Sequence, residues 1–221
     1  MATSIMKSIK GKVVRLTRLD DCGAVVVGSC TTLVSECFIS VGYADEIEAG
    51  DQFYVKNAWG APCINDKDPD LTKWVNVSIT FAEINPDALD IITSGTPVIS
   101  GSDTIGMSFS GEQNYNAFAL EVWTKNTGST AACNAGTPEW GYFVVPFIKN
   151  GRVNGDITIE NGAMTLGITG QGFAAPSTWG VGPYDLNPFV ETFPTGDLYG
   201  MVVTTVQPPS DTNGCIAYAG S

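Results

Sequence analysis

The stretch from Trp140 to Gly170, WGYFVVPFIKNGRVNGDITIENGAMTLGITG, constrains the fold more than any other part of the chain. It reads as three short β-strands in succession. Tyr142 to Ile148 is a mostly apolar run suited to a strand buried on both faces. Lys149-Asn150-Gly151 supplies residues tolerant of positive φ and predicts a tight hairpin turn. Beyond it the chain alternates, with Val153, Gly155, Ile157 and Ile159 on one side. Arg152, Asn154, Asp156, Thr158 and Glu160 fall on the other. Asn161-Gly162 predicts a second turn, and Met164, Leu166 and Ile168 alternate after it. A meander of this kind has one wet face and one dry face.

Similar patterning predicts further strands near 12–18, 31–43, 52–57, 72–82, 115–125 and 198–206. Asn85-Pro86-Asp87 gives a cap residue, a proline at the first helical position and an acid in the first turn. Ala88, Leu89, Ile91 and Ile92 follow, and Gly95 is the expected stop. One short helix among many strands predicts a mainly β fold, a sandwich or barrel whose helix covers an open edge. Long loops are expected at 93–114, 126–139 and 171–197. No composition break or repeat divides the chain, so residues 1–18 read as a basic N-terminal arm and first strand, and 19–221 as one β-rich domain.

With 221 residues the chain is long enough to bury a core unaided, and 43% hydrophobic against 15% charged residues excludes disorder. Histidine is absent, which removes the usual general base near neutral pH and the usual imidazole metal ligand. A net charge of −12 disfavours stable attachment to nucleic acid. No apolar run approaches membrane-spanning length, and the N-terminus has no signal-peptide core, so a cytoplasmic site of synthesis is expected.

The charge is unevenly spread. Five of the eleven basic residues (Lys7, Lys10, Lys12, Arg15, Arg18) precede the first acid, Asp20, and none follows Arg152. Either the N-terminus is a frayed basic tail, or it is an arm laid on an acidic neighbour, with Lys7, Lys10 and Lys12 as candidate inter-subunit contacts. The six cysteines (22, 30, 37, 63, 133, 215) include no Cys-x-x-Cys pair. They read as structural thiols of a reduced compartment, a Cys22–Cys30 bridge formed after release being the alternative, and Cys37 reads as a packed thiol.

Chemical motifs are few. Asn65-Asp66-Lys67-Asp68-Pro69-Asp70 resembles the start of a calcium loop but lacks its glycine and its closing glutamate, so a polar turn is expected. Asp45, Glu46, Glu48 and Asp51 form an acidic cluster around Gly50, read as a solvated loop and not as the paired carboxylates of a glycoside hydrolase. Trp179 and Tyr184 lie on the proline-rich 171–197 segment, where they either stack on sugars or a neighbour, or pack inward to hold an irregular path. No Gly-x-Ser-x-Gly occurs, and without histidine no serine triad forms. No cofactor and no metal are implied, and catalysis is not expected.

The 140–170 meander, with Trp179-Gly-Val-Gly-Pro-Tyr184, resembles the major tail tube proteins of long-tailed phages that infect actinobacteria. Leu19-Asp-Asp-Cys-Gly23, Cys30, Cys63-Ile-Asn-Asp-Lys67, Val75-Asn-Val-Ser-Ile-Thr-Phe81 and Asn85-Pro86 follow the order expected of that family and extend the resemblance over most of the chain. The resemblance implies a β-sandwich-like or barrel-like tail tube fold with one helix. It further implies six-membered rings stacked into a tube in the virion tail, assembled in the host cytoplasm. In such a tube the loop of Asp45, Glu46, Glu48 and Asp51 reaches the adjacent ring. The implied partners are other copies of the chain and tape measure, tail terminator and tail tip proteins, with genome DNA met only in transit and no membrane. Candidate lumen-facing residues are Arg152, Asn154, Asp156, Thr158 and Glu160 with Asn76, Ser78 and Thr80; Trp74, in register with the latter set, fits a DNA channel poorly. A lumen for DNA should be polar and net negative. The rival reading is a minor tail or decoration protein whose aromatic loop binds host glycans.

Overall fold

The computed structural model describes residues 6–101, 103–111, 116–126, 138–154, 165–180, 182, 192–212 and 214–219, and of these the side chain of Ile9 is left out. The fold is mainly β, with thirteen strands and one short helix among the described residues. The strands are β1 (Ser8–Leu19), β2 (Gly28–Ser35), β3 (Phe38–Glu48), β4 (Gln52–Lys56), β5 (Pro62–Lys67), β6 (Leu71–Phe81) and β7 (Thr96–Ser100). They continue with β8 (Asp103–Ser108), β9 (Ala117–Asn126), β10 (Trp140–Val153), β11 (Leu166–Gly172), β12 (Gly200–Thr204) and β13 (Cys215–Tyr218), and α1 is Pro86–Ile92. One sheet runs β13-β2-β1-β9-β10-β11-β6-β3, all antiparallel. β10 is its spine: β9 lies along one side, and β12 then β11 share the other.

Two apolar clusters set the curvature. The first joins Val14, Leu16 and Leu33 to Val75, Val77, Ile79 and Phe81, with Phe118, Leu120, Val122, Val145, Ile148, Leu166 and Ile168 between. Residues from distant strands can share one core only because the sheet curls, and β3 returns far enough that the Phe38 ring leaves no room for a side chain at Gly11. α1 buries Ala88, Leu89, Ile91 and Ile92 in the same core, packed against the inner strands β1, β2 and β9 and against β8, instead of covering an open edge as the sequence reading expected. The second cluster lies on the other face of β1, β9 and β10, where Ala175, Trp179 and Phe193 cover Val13, Ala119, Trp123, Tyr142 and Val144. The predicted two-sided burial of Tyr142–Ile148 follows from this arrangement.

That second core holds a charge pair. Arg15 Nε and Nη2 donate to Glu121 Oε2 and Oε1, each at 2.6 Å, and both side chains are 1% exposed. Tyr142 Oη donates to Glu121 Oε1 at 2.7 Å, and the guanidinium lies 5.2 Å from the centre of the Trp123 ring.

The helix starts as read. Asn85 Oδ1 accepts from the backbone N–H groups of Asp87 and Ala88, at 2.9 and 3.4 Å. It ends earlier than Gly95, at Thr93, whose N–H and hydroxyl both donate to Leu89 O. Asn85→Ala should lower stability by about 1 kcal/mol, read as a shift of the urea midpoint at constant slope.

Several expectations are corrected. Lys149-Asn150-Gly151 is no hairpin turn: β10 runs straight through it, and the positive φ of Asn150 (57°) serves a bulge between the Lys149–Gln171 and Arg152–Thr169 pairs. The 31–43 strand is two strands parted at Glu36 and Cys37. The 93–114 loop contains the β7–β8 hairpin, and Asn65–Lys67, read as a turn, are strand. The basic N-terminal segment is strand from Ser8 onward, held between β2 and β9, because Val13, Val14 and Leu16 are core residues. Lys10, Lys12, Arg15 and Arg18 therefore sit in their own chain's sheet and not on a free arm. Cys30 and Cys215 form a disulfide fastening β13 to β2, in place of six free thiols or a Cys22–Cys30 bridge. Cys37 is exposed, not packed.

Candidate functional site

Successive residues of a strand point to opposite faces, so the residues that bury Val75, Val77, Ile79, Ile168 and Leu166 on one side must present their neighbours on the other. Register aligns these neighbours across four strands. Arg152 on β10 lies beside Thr169 on β11, then Ser78 on β6, then Gly42 on β3. One row away come Asn154, Gly167, Thr80 and Ser40, the Asn154 N–H donating to Gly167 O at 2.8 Å. On the other side Gln171, Asn76 and Ala44 align, with Asn150 Nδ2 donating to Gln171 Oε1 at 2.7 Å. The Arg152 and Gln171 rows, with Asn154, line an open concavity of about 980 Å³.

The sequence assigned Asn76, Ser78, Thr80, Arg152 and Asn154 to two separate wet faces, and the fold joins them into one. Asp156, Thr158 and Glu160 lie outside the described residues. Asn150, Thr169, Gln171 and Ser40 were missed, although Gly167, Thr169 and Gln171 alternate with Leu166 and Ile168 in the sequence. In this part the face is amide and hydroxyl, with Arg152 and Glu46 as its charges, so it is polar but close to neutral and not net negative. Trp74 lies at its margin, its Nε1 donating to Asn76 Oδ1 at 3.2 Å and its ring tilted on Phe173 at 6.3 Å between centroids. Asn76 Nδ2 in turn donates to Glu46 Oε2 at 3.1 Å.

The polar face ends at an open edge. β3 is the last strand of the sheet and, among the described residues, pairs only with β6. Beyond it the β3–β6 ribbon continues into the β4–β5 hairpin, which among the described residues pairs with no other strand. The join is tight: Asp68 N donates to Asp51 O at 2.9 Å, Gly50 N donates to Asp70 Oδ1 at 3.0 Å, and the Asp68 carbonyl leaves no room for a side chain at Gly50. Lys67 pairs with Asp70 at 2.6 Å; its hydrogen bond, with that of the Gly50 N–H, holds the Asp70 carboxyl below the usual range. At the tip Asn57 Oδ1 accepts from the N–H groups of Trp59 and Ala61, both at 3.0 Å, and Gly60 takes φ 82°. Trp59 is 94% exposed, and Phe53, Tyr54, Val55 and Ile64 are about half exposed. The sequence marked the first strand of this arm, near 52–57, but not its partner β5 or the exposed tip.

The remaining candidates scatter. Asp45, Glu46 and Glu48 lie on β3 itself and Asp51 follows it, all exposed, so the acidic cluster is the flank of the open edge and not a loop. Lys73 pairs with Glu48 at 3.1 Å. Lys7 and Lys10 are exposed at the start of β1, and Lys12 pairs with Glu36 at 2.6 Å. Trp179 is 5% exposed inside the second core, so it offers a neighbouring subunit little surface; prolines and an irregular path turned it inward. Tyr184 lies outside the described residues.

No protein-family model matches the chain, and no curated protein matches it. Among solved structures it is similar to the sheath/tube terminator of an extracellular contractile injection system, PVC, in its extended state. That likeness has a TM-score of 0.29 and 11% identity, over 72% of this chain and 88% of the other. The neighbour is a tail-related protein, and at this TM-score the likeness assigns no role to this chain.

Proposed function

We propose that the protein is a structural subunit of a phage tail tube: copies, six to a ring, join edge to edge, and the rings stack into a conduit for DNA. The observation that carries this reading is the polar four-stranded face ending in the unpaired β3 edge. An exposed eleven-residue edge is an aggregation hazard unless something pairs with it, and a closed ring of copies removes every such edge. Closing the ring through β3 turns Asn76, Ser78, Thr80, Arg152 and Asn154 toward one lumen, where amides and hydroxyls hydrogen-bond water and give phosphates few cations to hold. The resemblance of the sequence motifs, in their order along the chain, to those of tail tube proteins supports the same assignment. Tape measure, terminator and tip proteins are the further partners, the virion tail is the location, and the role is structural and not catalytic.

The test is sedimentation and negative-stain electron microscopy of the purified chain over a range of concentrations. Rings or hollow tubes are expected above a threshold concentration. A chain that stays monomeric at every concentration, and does not add to preformed tail tips, would overturn the reading. Of the two aromatics behind the glycan-binding alternative, Trp179 is buried and Tyr184 lies outside the described residues.

A further inference from the structure

The Cys30–Cys215 bridge sits in unusual company. Asp87, in the first turn of α1, places a carboxylate so that the two sulfurs and an Asp87 oxygen all lie within 4.8 Å of one another. Asp87 Oδ2 is fixed there by the Cys215 N–H, 2.9 Å away. Asp90, one turn on, brings Oδ2 to 3.9 Å from Cys30 Sγ. Arg18 pairs with Asp90 at 2.7 Å, whereas Asp87 makes no ion pair among the described residues. Cys30 holds φ at 53°, a conformation that a non-glycine residue keeps only where its surroundings demand it. A cleft of about 340 Å³ opens onto Asp87 and Gly214, with Glu83 and Asp211 also in its wall. Acidic side chains thus line the cleft as far as Asp87, which stands beside the two sulfurs.

We propose that, while its thiols are reduced, the chain binds one thiophilic divalent cation through the Cys30 and Cys215 thiolates and the Asp87 carboxylate. Disulfide and metal are then alternative closures of the same clasp between β13, β2 and α1. Two thiolates and a carboxylate suit zinc or its analogues, and a fourth position falls to water or Asp90. With metal–sulfur bonds of about 2.3 Å and metal–oxygen bonds of about 2.0–2.2 Å, ligand atoms in a tetrahedron stand roughly 3.5–3.8 Å apart. Binding releases the two thiol protons to solvent, one from each cysteine. The newly made chain carries both thiols, so no reductant is required for the metal-bound form to precede the bridge.

Cobalt(II) tests this. The full chain is treated anaerobically with a phosphine, which takes the oxygen of one water to become phosphine oxide and leaves two thiols. Expected are one cobalt per chain and the absorption of tetrahedral thiolate coordination, neither of them in the oxidised protein. Cys215→Ser should abolish the thiolate band, and Asp87→Asn should weaken binding by about tenfold or more. Circular dichroism confirms that each variant is folded, and should Cys215→Ser fail to fold, Cys30→Ser replaces it. Absence of cobalt uptake by the reduced chain overturns the proposal. Equal uptake by the oxidised chain or by the cysteine variant does so too, placing the ion on one of the other four cysteines, 22, 37, 63 or 133.

Discussion

Glu121→Ala should destabilise the protein by about 3–5 kcal/mol, enough to unfold much of it under ordinary conditions. The alanine takes from the Arg15 guanidinium, 1% exposed beside Val13, Trp123 and Tyr142, the carboxylate that accepts its two 2.6 Å bonds. It also takes the acceptor from Tyr142 Oη. Tyr142→Phe removes only that donor, and should cost about 1 kcal/mol. Arg15→Met combined with Glu121→Leu removes both charges and their desolvation together, and should leave stability near that of the parent. Urea denaturation of the four proteins checks the ordering; a mild Glu121→Ala would mean that water reaches Arg15. Alkali should act at the same place. Burial, and then the Glu121 carboxylate, push the Tyr142 phenol well above its ordinary 10.0. The folded state therefore keeps a proton that the unfolded state gives up, so this contribution is whole below about pH 10 and is lost as the pH climbs beyond it.

How far such features could be read from the sequence depends on the range of the interaction behind them. α1 was legible because Asn85, Pro86 and Asp87 act on backbone groups within one turn. β6 and β9 were legible because burial on at least one face imposes a period or an apolar run. Asn150-Gly151 was misread because the same local freedom serves a turn or a bulge. What decides is the pairing of Arg152 with Thr169, which no local pattern encodes. β5 escaped because, among the described residues, it pairs only with the exposed β4, so burial selects neither side of Cys63–Lys67. The bridge joins cysteines 185 residues apart. Arg15 did leave a signal, a charge in the row of Val13 and Leu19, but naming its partner required the β1–β9 register. The polar face was half legible: alternation picked out Asn76, Ser78 and Thr80, and Arg152 with Asn154. Their union depended on β11 lying between the two strands.

Removal of the β4–β5 hairpin should separate folding from assembly. Every residue of Gln52–Lys56 and Pro62–Lys67 is exposed, so neither strand contributes to either core. The bond from Asp68 N to Asp51 O already closes the ribbon at its base, where an Asn-Gly turn can replace residues 52–67. The shortened chain should keep its stability to within about 1 kcal/mol, because almost no apolar area buried on folding is lost. Stacked tubes should not form. A free two-stranded hairpin is marginal in water, and one with Trp59 94% exposed beside Phe53, Tyr54, Val55 and Ile64 is suited to burial against a neighbour. Trp59→Ala is the finer probe. If Trp59 anchors that contact, its loss costs about 2 kcal/mol or more, which raises the threshold concentration for tubes roughly thirtyfold. The two surfaces also separate by what remains. Single rings without stacks in the shortened chain would assign β3 to ring closure and the hairpin to stacking, whereas monomers alone would make the hairpin part of the ring contact. Tubes of ordinary length would remove the hairpin from assembly and leave its aromatic tip for a different partner.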